Sequence, residues 1–330
     1  MQIPIKIAGT GRYLPQRVVP FGEVAALCSV SPDWMAQHTG VLERRWATEE
    51  SGETNASMAA KATAQAIAAA GLETSDVDCL IYASATVQQL IPDTSVYVLQ
   101  ELGIGDAGIE CLSVHTTCLS FVSALDAAAN RLAAGRNRCI VVVSSEITSI
   151  GLNFKDPESA GLFGDGAAAV VLTIAQPGET SCLQSVHFET YASAAQYTMF
   201  RGGGTRKAPN DPRTKPEDNL FAMNGHEVLR FTLRRAPRFL SRLLVETSLA
   251  EIDCIIPHQT SKAGLEAMTR LGMSEDKTVR TLPILGNCVA ASIPMALHQA
   301  VQDNRIARGD KLLLIGTSAG LTLGGATLTY

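Results

Sequence analysis

An α/β fold with sheets buried on both faces, organised as two similar halves, is the class this sequence predicts. Strand-like runs such as Cys79-Leu80-Ile81-Tyr82 and Cys139-Ile140-Val141-Val142-Val143 are apolar throughout, the pattern of strands covered on both sides rather than on one. These runs alternate with alanine-rich segments of helical period. The first half also returns in the second. Ser75-Asp76-Val77-Asp78-Cys79-Leu80-Ile81 is echoed by Ala250-Glu251-Ile252-Asp253-Cys254-Ile255-Ile256, each after a long helix and a short polar turn. Two such halves pack about a pseudo-twofold axis, so a site is expected between them where strand ends converge.

In order, Ile5-Lys6-Ile7-Ala8-Gly9-Thr10-Gly11 reads as a strand running into a turn, followed by a polar helical entry at Ser31-Pro32-Asp33-Trp34. A helix is expected from about Ala56 to Ala70, capped at its C-terminus by Gly71. The strand through Cys79, a helix near 94–102, the strand at 139–145 and the tight turn Phe163-Gly164-Asp165-Gly166 before Ala167–Leu172 complete the first half. In the second half, Lys311-Leu312-Leu313-Leu314-Ile315-Gly316 and the glycine-rich Gly320–Gly325 repeat that strand, turn and strand. At 330 residues the chain exceeds one ordinary core and divides into units 1–173 and 174–330. Between them Arg201-Gly202-Gly203-Gly204-Thr205-Arg206-Lys207 lacks the ending of a nucleotide phosphate loop and reads as a surface loop.

Composition excludes several classes. No stretch reaches the ~18 apolar residues of a membrane span, and Met1-Gln2-Ile3-Pro4 leads straight into a strand without signal-peptide character. A cytoplasmic protein without a membrane partner is expected. A net charge of -5 argues against general nucleic-acid binding. Eight cysteines lie mostly in apolar runs, with no CxxC pair and no Cys/His cluster at zinc spacing, so neither disulfides nor a metal is expected.

The chemistry centres on Ile109–Cys118, read as a short buried strand, and the following Leu119–Leu132, read as a helix stopped by Gly135. Cys118 thus falls where a strand turns into a helix, where the helix dipole favours an anion. A depressed thiol pKa and a nucleophilic thiolate are expected. His258 follows the buried run Ile255-Ile256-Pro257, and Asn287 sits on the turn Leu285-Gly286-Asn287-Cys288 before a small-residue helix. Cysteine, histidine and asparagine at three strand-end turns supply a nucleophile and two N–H donors, the set needed for acyl transfer through a thioester.

At these residues the sequence resembles the thiolase superfamily and, within it, the β-ketoacyl-acyl-carrier-protein synthase III group. The resemblance covers nearly the whole chain: Trp34 with Thr39-Gly40-Val41-Leu42-Glu43-Arg44-Arg45, the Cys118 turn, Phe163-Gly164-Asp165-Gly166, Pro257-His258-Gln259, Gly286-Asn287, and Ala319-Gly320-Leu321-Thr322-Leu323-Gly324. It implies duplicated βαβαβαββ halves forming a five-layered αβαβα core. It further implies a decarboxylative Claisen condensation in fatty acid biosynthesis. An acyl group passes from coenzyme A to Cys118 and then to malonyl-acyl carrier protein. The backbone N–H groups of Cys118 and Ala319 would form the oxyanion hole, and His258 with Asn287 would stabilise the enolate. No resident cofactor is implied, since coenzyme A and the carrier's phosphopantetheine arrive with the substrates. Asp165 would brace the site.

For substrate binding, the resemblance places Trp34 against the coenzyme A adenine, Ile91 of a dimer mate at the floor of the acyl pocket, and Arg230, extended by Arg270, against an acidic acyl carrier protein. The chain departs from the group in four places. His115 and two threonines precede Cys118 where small residues are usual, and His115 is expected to fill the core. The Asp156–Gly161 segment has no arginine to clamp the adenine with Trp34. Ile91 stands where phenylalanine is common, which would admit a longer or branched acyl group. Ser261 replaces an asparagine that supports the histidine. The alternatives are a related acyltransferase, a long-chain condensing enzyme of specialised metabolism, and a non-catalytic partner subunit; intact Cys118, His258 and Asn287 count against the last.

Overall fold

In the computed structural model, which describes residues 2–330, the first half runs through β1 (Ile5–Tyr13), α1 (Asn55–Ala69), β2 (Cys79–Tyr82), α2 (Thr94–Glu101), β3 (Glu110–Ser113), α3 (Ser120–Ala133), β4 (Cys139–Glu146) and β5 (Gly166–Ile174). The second runs through β6 (Cys182–Thr190), α4 (Gly225–Leu243), β7 (Cys254–Pro257), α5 (Lys262–Arg270), α6 (Ser292–Gln302), β8 (Lys311–Ser318) and β9 (Thr322–Thr329). Local sequence starts and stops the helices. Thr54 and Ser57 form a reciprocal capping box at the head of α1, and Gly71, at φ +68, ends it in the left-handed region. The Asn224 side chain caps α4 by accepting from Glu227 N, and the Ser261 hydroxyl caps α5 by accepting from Gly264 N.

The sheets repeat one another. The first has strand order β1-β5-β4-β2-β3 and the second β7-β8-β9-β6. In each, the strand after the first long helix pairs in parallel with the strand after the central helix, β2 with β4 and β7 with β8. That partner turns back into an antiparallel hairpin, and the opening strand of the half pairs at the far edge. β3 is the one addition, carried by the first sheet alone.

Side-chain alternation along the strands separates the layers. Cys79 and Ile81 of β2 join Ile140 and Val142 of β4 in a core shared with α3, α6 and the inner face of the second sheet. Leu80, Tyr82, Val141 and Val143 face the other way, onto α1 and α2. On the far side of the second sheet, Leu313, Ile315 and Leu323 pack under Phe239, Leu240 and Leu243 of α4. The result is the expected five-layered αβαβα core, with α3 and α6 buried at its centre. Among the described residues no helix is long and apolar enough to cross a membrane.

Two expectations fail at one place. The strand before Cys118 is not buried, because β3 is the last strand of its sheet and pairs only with β2. Its residues are half-buried and Ser113 is exposed. His115, just beyond that edge, is exposed as well and does not fill the core. Residues 201–219 form short turns, mostly exposed and pinned where Lys207 meets Asp218 at 2.6 Å.

α1 lies unusually close to β1. A Cβ on Gly11 would stand 2.1 Å from the Ala62 carbonyl oxygen, and one on Gly9 2.2 Å from that of Ala66. Backbone offers no rotamer to relieve such an overlap, so Gly11→Ala should destabilise the protein by about 1–3 kcal/mol, as overpacking does. An unchanged urea midpoint in that variant would refute the contact.

Candidate active site

Cys118 occupies a 3-10 turn, Thr117–Leu119, that leads into α3. Thr117 holds φ +51, an uncommon conformation for a β-branched residue. Ser120 stabilises the turn from one side: its hydroxyl accepts from Thr116 N at 3.0 Å and donates to the Thr117 carbonyl at 2.7 Å. The backbone N–H groups of Ala319 and of Cys118 itself work to lower the thiol pKa. The thiol nevertheless titrates opposite to expectation. Burial, and then the charge of Glu146, push its pKa up to about 12. The donors near the helix end favour the thiolate, but the loss of water around the half-buried thiol disfavours it more. The resting nucleophile is a neutral thiol.

His258 stands at the end of β7, its N–H bonded to the Ile315 carbonyl at 2.8 Å. It is 3% exposed. A Cβ on Gly316 would lie 2.7 Å from His258 Cβ and 3.3 Å from Leu119 Cδ2, so this glycine lets the histidine and the nucleophile's neighbour close over β8. Gln259 holds the turn rigid: its Nε2 donates to the Pro257 and Val279 carbonyls and its Oε1 accepts from Thr281 N and Leu282 N, at 3.0 to 3.1 Å. Burial lowers the imidazole pKa to about 4, so the ring is neutral. Its Nδ1 meets no protein partner, and Ser261, committed to capping α5, does not reach it.

Asn287 is held by both main chain and side chain. Its N–H donates to the Leu162 carbonyl at 2.8 Å and its carbonyl accepts from Gly164 N at 3.1 Å. Its Oδ1 accepts from Val289 N at 2.9 Å, and its Nδ2 donates to the Thr260 carbonyl at 3.2 Å. The amide is thereby oriented with nitrogen towards the His258 turn. The turns carrying Cys118, His258 and Asn287 meet at the ends of the two central helices. Asp165 braces this meeting point, as expected: its fully buried carboxylate accepts from Ala47 N at 2.9 Å, Thr148 N at 2.7 Å and Ser149 Oγ at 2.6 Å.

Sequence reasoning missed Glu146. It is fully buried, and its oxygens accept from Ala85 N at 2.7 Å, Thr86 N at 2.8 Å, Thr86 Oγ at 2.7 Å and Ala290 N at 3.3 Å. Desolvation raises its pKa to about 7 against those donors. The signal was a charged residue closing an otherwise apolar strand, Val141-Val142-Val143-Ser144-Ser145-Glu146.

The remaining candidates lie away from this centre. On the short helix Pro32–Thr39, Trp34 stacks on His38 with ring centroids 4.2 Å apart, and Lys262 ties α5 to that helix through the Gln37 carbonyl at 3.3 Å. Arg230 and Arg270 are exposed, and Arg230 pairs with Glu227. Ile91 is 85% exposed beside Leu90 at 76%. All eight cysteines are free, and no group of three or more metal-ligating side chains occurs among the described residues.

The family model for 3-oxoacyl-acyl-carrier-protein synthase III matches residues 112–192, and the model for its C-terminal part matches residues 245–330. A β-ketoacyl-acyl-carrier-protein synthase III of Rhizorhabdus wittichii is 33% identical over 328 residues, covering 98% of both chains. One from Laribacter hongkongensis is 32% identical over 334 residues, covering 98% of this chain and 99% of its own. The crystal structure of 3-oxoacyl-acyl-carrier-protein synthase III from Aquifex aeolicus VF5 superposes with a TM-score of 0.88 at 29% identity, covering 99% of this chain and 100% of that one.

A neutral thiol beside a neutral imidazole has a measurable signature. The rate of Cys118 alkylation by iodoacetamide should climb about tenfold per pH unit from pH 6 to 10, as the thiolate fraction grows below a raised pKa. A plateau reached by pH 7 would show a preformed thiolate instead.

Proposed function

Because the chain belongs to the 3-oxoacyl-acyl-carrier-protein synthase III family, we infer that it condenses an acyl-coenzyme A primer with malonyl-acyl carrier protein, through an acyl-cysteine, in fatty acid biosynthesis. The observation that carries the reading is the meeting of Cys118, under the Ala319 N–H, with a neutral His258 and an oriented Asn287 amide.

In the first half-reaction the Cys118 sulfur attacks the thioester carbonyl, and the N–H groups of Cys118 and Ala319 receive the oxyanion. The carbon–sulfur bond to coenzyme A breaks, and the proton lost from the cysteine leaves with the coenzyme A thiol. In the second, the malonyl carboxylate departs as carbon dioxide. Its electron pair passes into an enolate whose oxygen accepts from His258 Nε2 and Asn287 Nδ2. The enolate carbon attacks the acyl-cysteine, the same oxyanion hole holds the adduct, and the Cys118 sulfur is expelled and reprotonated. A histidine kept neutral by burial suits this role, because it donates one N–H without first taking up a proton. The unpartnered Nδ1 fits a tautomer with its proton on Nε2.

The same reading gives the outlying residues their tasks. Arg230, with Arg234 and Arg238 exposed on the same helix and Arg270 on α5, would attract an acidic carrier protein. Trp34, with His38 already stacked on it, would take the coenzyme A adenine. Leu90 and Ile91, large apolar side chains left in solvent, would close the acyl pocket of a second copy, making the working form a homodimer. Eight free cysteines suit a reducing cytoplasm. No resident cofactor takes part.

Intact-protein mass spectrometry tests the chemistry. A mass increase on Cys118 with acyl-coenzyme A, discharged by malonyl-acyl carrier protein, is expected, and adducts confined to short chains would mark an initiating enzyme. Cys118→Ala should form no adduct. His258→Ala and Asn287→Ala should still acylate but lose condensation on the order of 10²–10³-fold, the effect of losing one oxyanion-type donor. Equal loss of both steps would contradict these roles. Light scattering after size exclusion should give the mass of two chains at micromolar concentration, and a monomer would remove Ile91 from the pocket.

A further inference from the structure

Apart from β3, the sheets of the two halves correspond strand for strand, so the nucleophile's surroundings have counterparts across the pseudo-twofold. The turn before α3 corresponds to the turn before α6. Ser120 matches Ser292, Cys118 matches Ala290, and Thr117, at φ +51, matches Val289, at φ +46. β4 and β8 are each eight residues long and register identically in their hairpins, so their last residues, Glu146 and Ser318, correspond. Each of these end residues crosses to the other half. Glu146 accepts the N–H of Ala290 at 3.3 Å. Ser318, 3% exposed, donates its hydroxyl to the Thr116 carbonyl at 2.7 Å, two residues before the Cys118 nucleophile. A carboxylate thus stands beside the alanine turn and a neutral hydroxyl beside the cysteine turn.

We propose that Ser318 is a positioning residue of this active site: its hydroxyl clamps the Cys118 turn to the end of β8 and sets the gap between the two N–H groups of the oxyanion hole. Those donors belong to different halves, Cys118 to the first and Ala319 to the second. Among the described residues, the Ser318–Thr116 bond is the one side-chain hydrogen bond that joins the two segments. It falls next to Thr117, whose positive φ persists only while its neighbours hold it. Ser120 holds that turn within its own half, and Ser318 holds it against the other. A carboxylate at position 318, the counterpart of Glu146, would oppose the charge that forms on sulfur; the serine is neutral, and its one hydroxyl proton is committed to the Thr116 carbonyl.

The inference rests on the acyl-transfer reading above, and three measurements on Ser318→Ala and Ser318→Thr separate the two. Loading of Cys118 by acyl-coenzyme A, which passes through the oxyanion hole, should slow about tenfold in Ser318→Ala, less than the loss of a whole donor. Decarboxylation of malonyl-acyl carrier protein without primer uses His258 and Asn287 but forms no tetrahedral adduct, and should change less than roughly twofold. The pH profile of iodoacetamide alkylation should move to higher pH. Ser318→Thr, which keeps the hydroxyl, should restore all three. Unchanged loading in Ser318→Ala, or loading and decarboxylation falling in step in both variants, overturns the clamp. A wild-type enzyme that accepts no thioester while the alanine variant still shifts the alkylation profile would overturn the acyl-transfer reading and leave the clamp standing.

Discussion

The burial of two helix beginnings at the centre of a five-layered core governs the rest of this structure. α3 and α6 lie between the sheets, sealed on both sides by Ile81, Ile140, Val142, Leu312 and Leu314. Ser120, Phe121 and Val122 of α3 and Ser292, Ile293 and Pro294 of α6 are therefore buried, and their polar groups must find partners within the chain. The turn of α3 presents Cys118, and the turn of α6 follows Asn287. The strands that end beside them supply His258, Glu146 and Ser318. Duplication is what makes this possible, because each half carries a strand end to the other half's helix.

Desolvation then sets the protonation states. It raises the Cys118 thiol and the Glu146 carboxyl and lowers the His258 imidazole, in each case favouring the neutral form. With the thiol and the imidazole neutral, and Glu146 titrating at about 7, the donors of the site are not saturated by internal ion pairs. In the proposed mechanism, charge that develops on a thioester oxygen or an enolate would meet the Ala319 N–H, an imidazole N–H and an amide N–H whose orientation is already fixed by Thr260 and Val289. Preorganisation of this kind needs rigid second partners, and here they are Asp165, Gln259 and Glu146, each buried and each saturated with backbone hydrogen bonds.

The surface is organised differently from the core. β3 ends its sheet among the described strands, and Val87, Leu90 and Ile91, in the loop between β2 and α2, remain in solvent. Open strand edges and exposed large apolar side chains are the kinds of surface that another chain covers. On the opposite side of the molecule's layered core, α4 turns its leucines and Phe239 inward and leaves Arg230, Arg234 and Arg238 outside.

The sequence alone determined the α/β class and the duplication, and it singled out Cys118, His258 and Asn287 as candidates, because each is a local signal: an apolar run, a repeated heptapeptide, a reactive side chain beside a turn. The bracing role of Asp165 was legible for the same reason, in the tightness of its Gly-Asp-Gly turn. Tertiary structure decided what depends on surroundings. The thiol is raised rather than lowered because titration follows desolvation and the nearby Glu146, which a linear motif does not record. The strand before Cys118 is an open edge and His115 is exposed because strand order in a sheet is set by pairings far apart in the chain. Glu146 and Ser318 emerged only when the halves were folded together, since their partners lie 144 and 202 residues away along the chain.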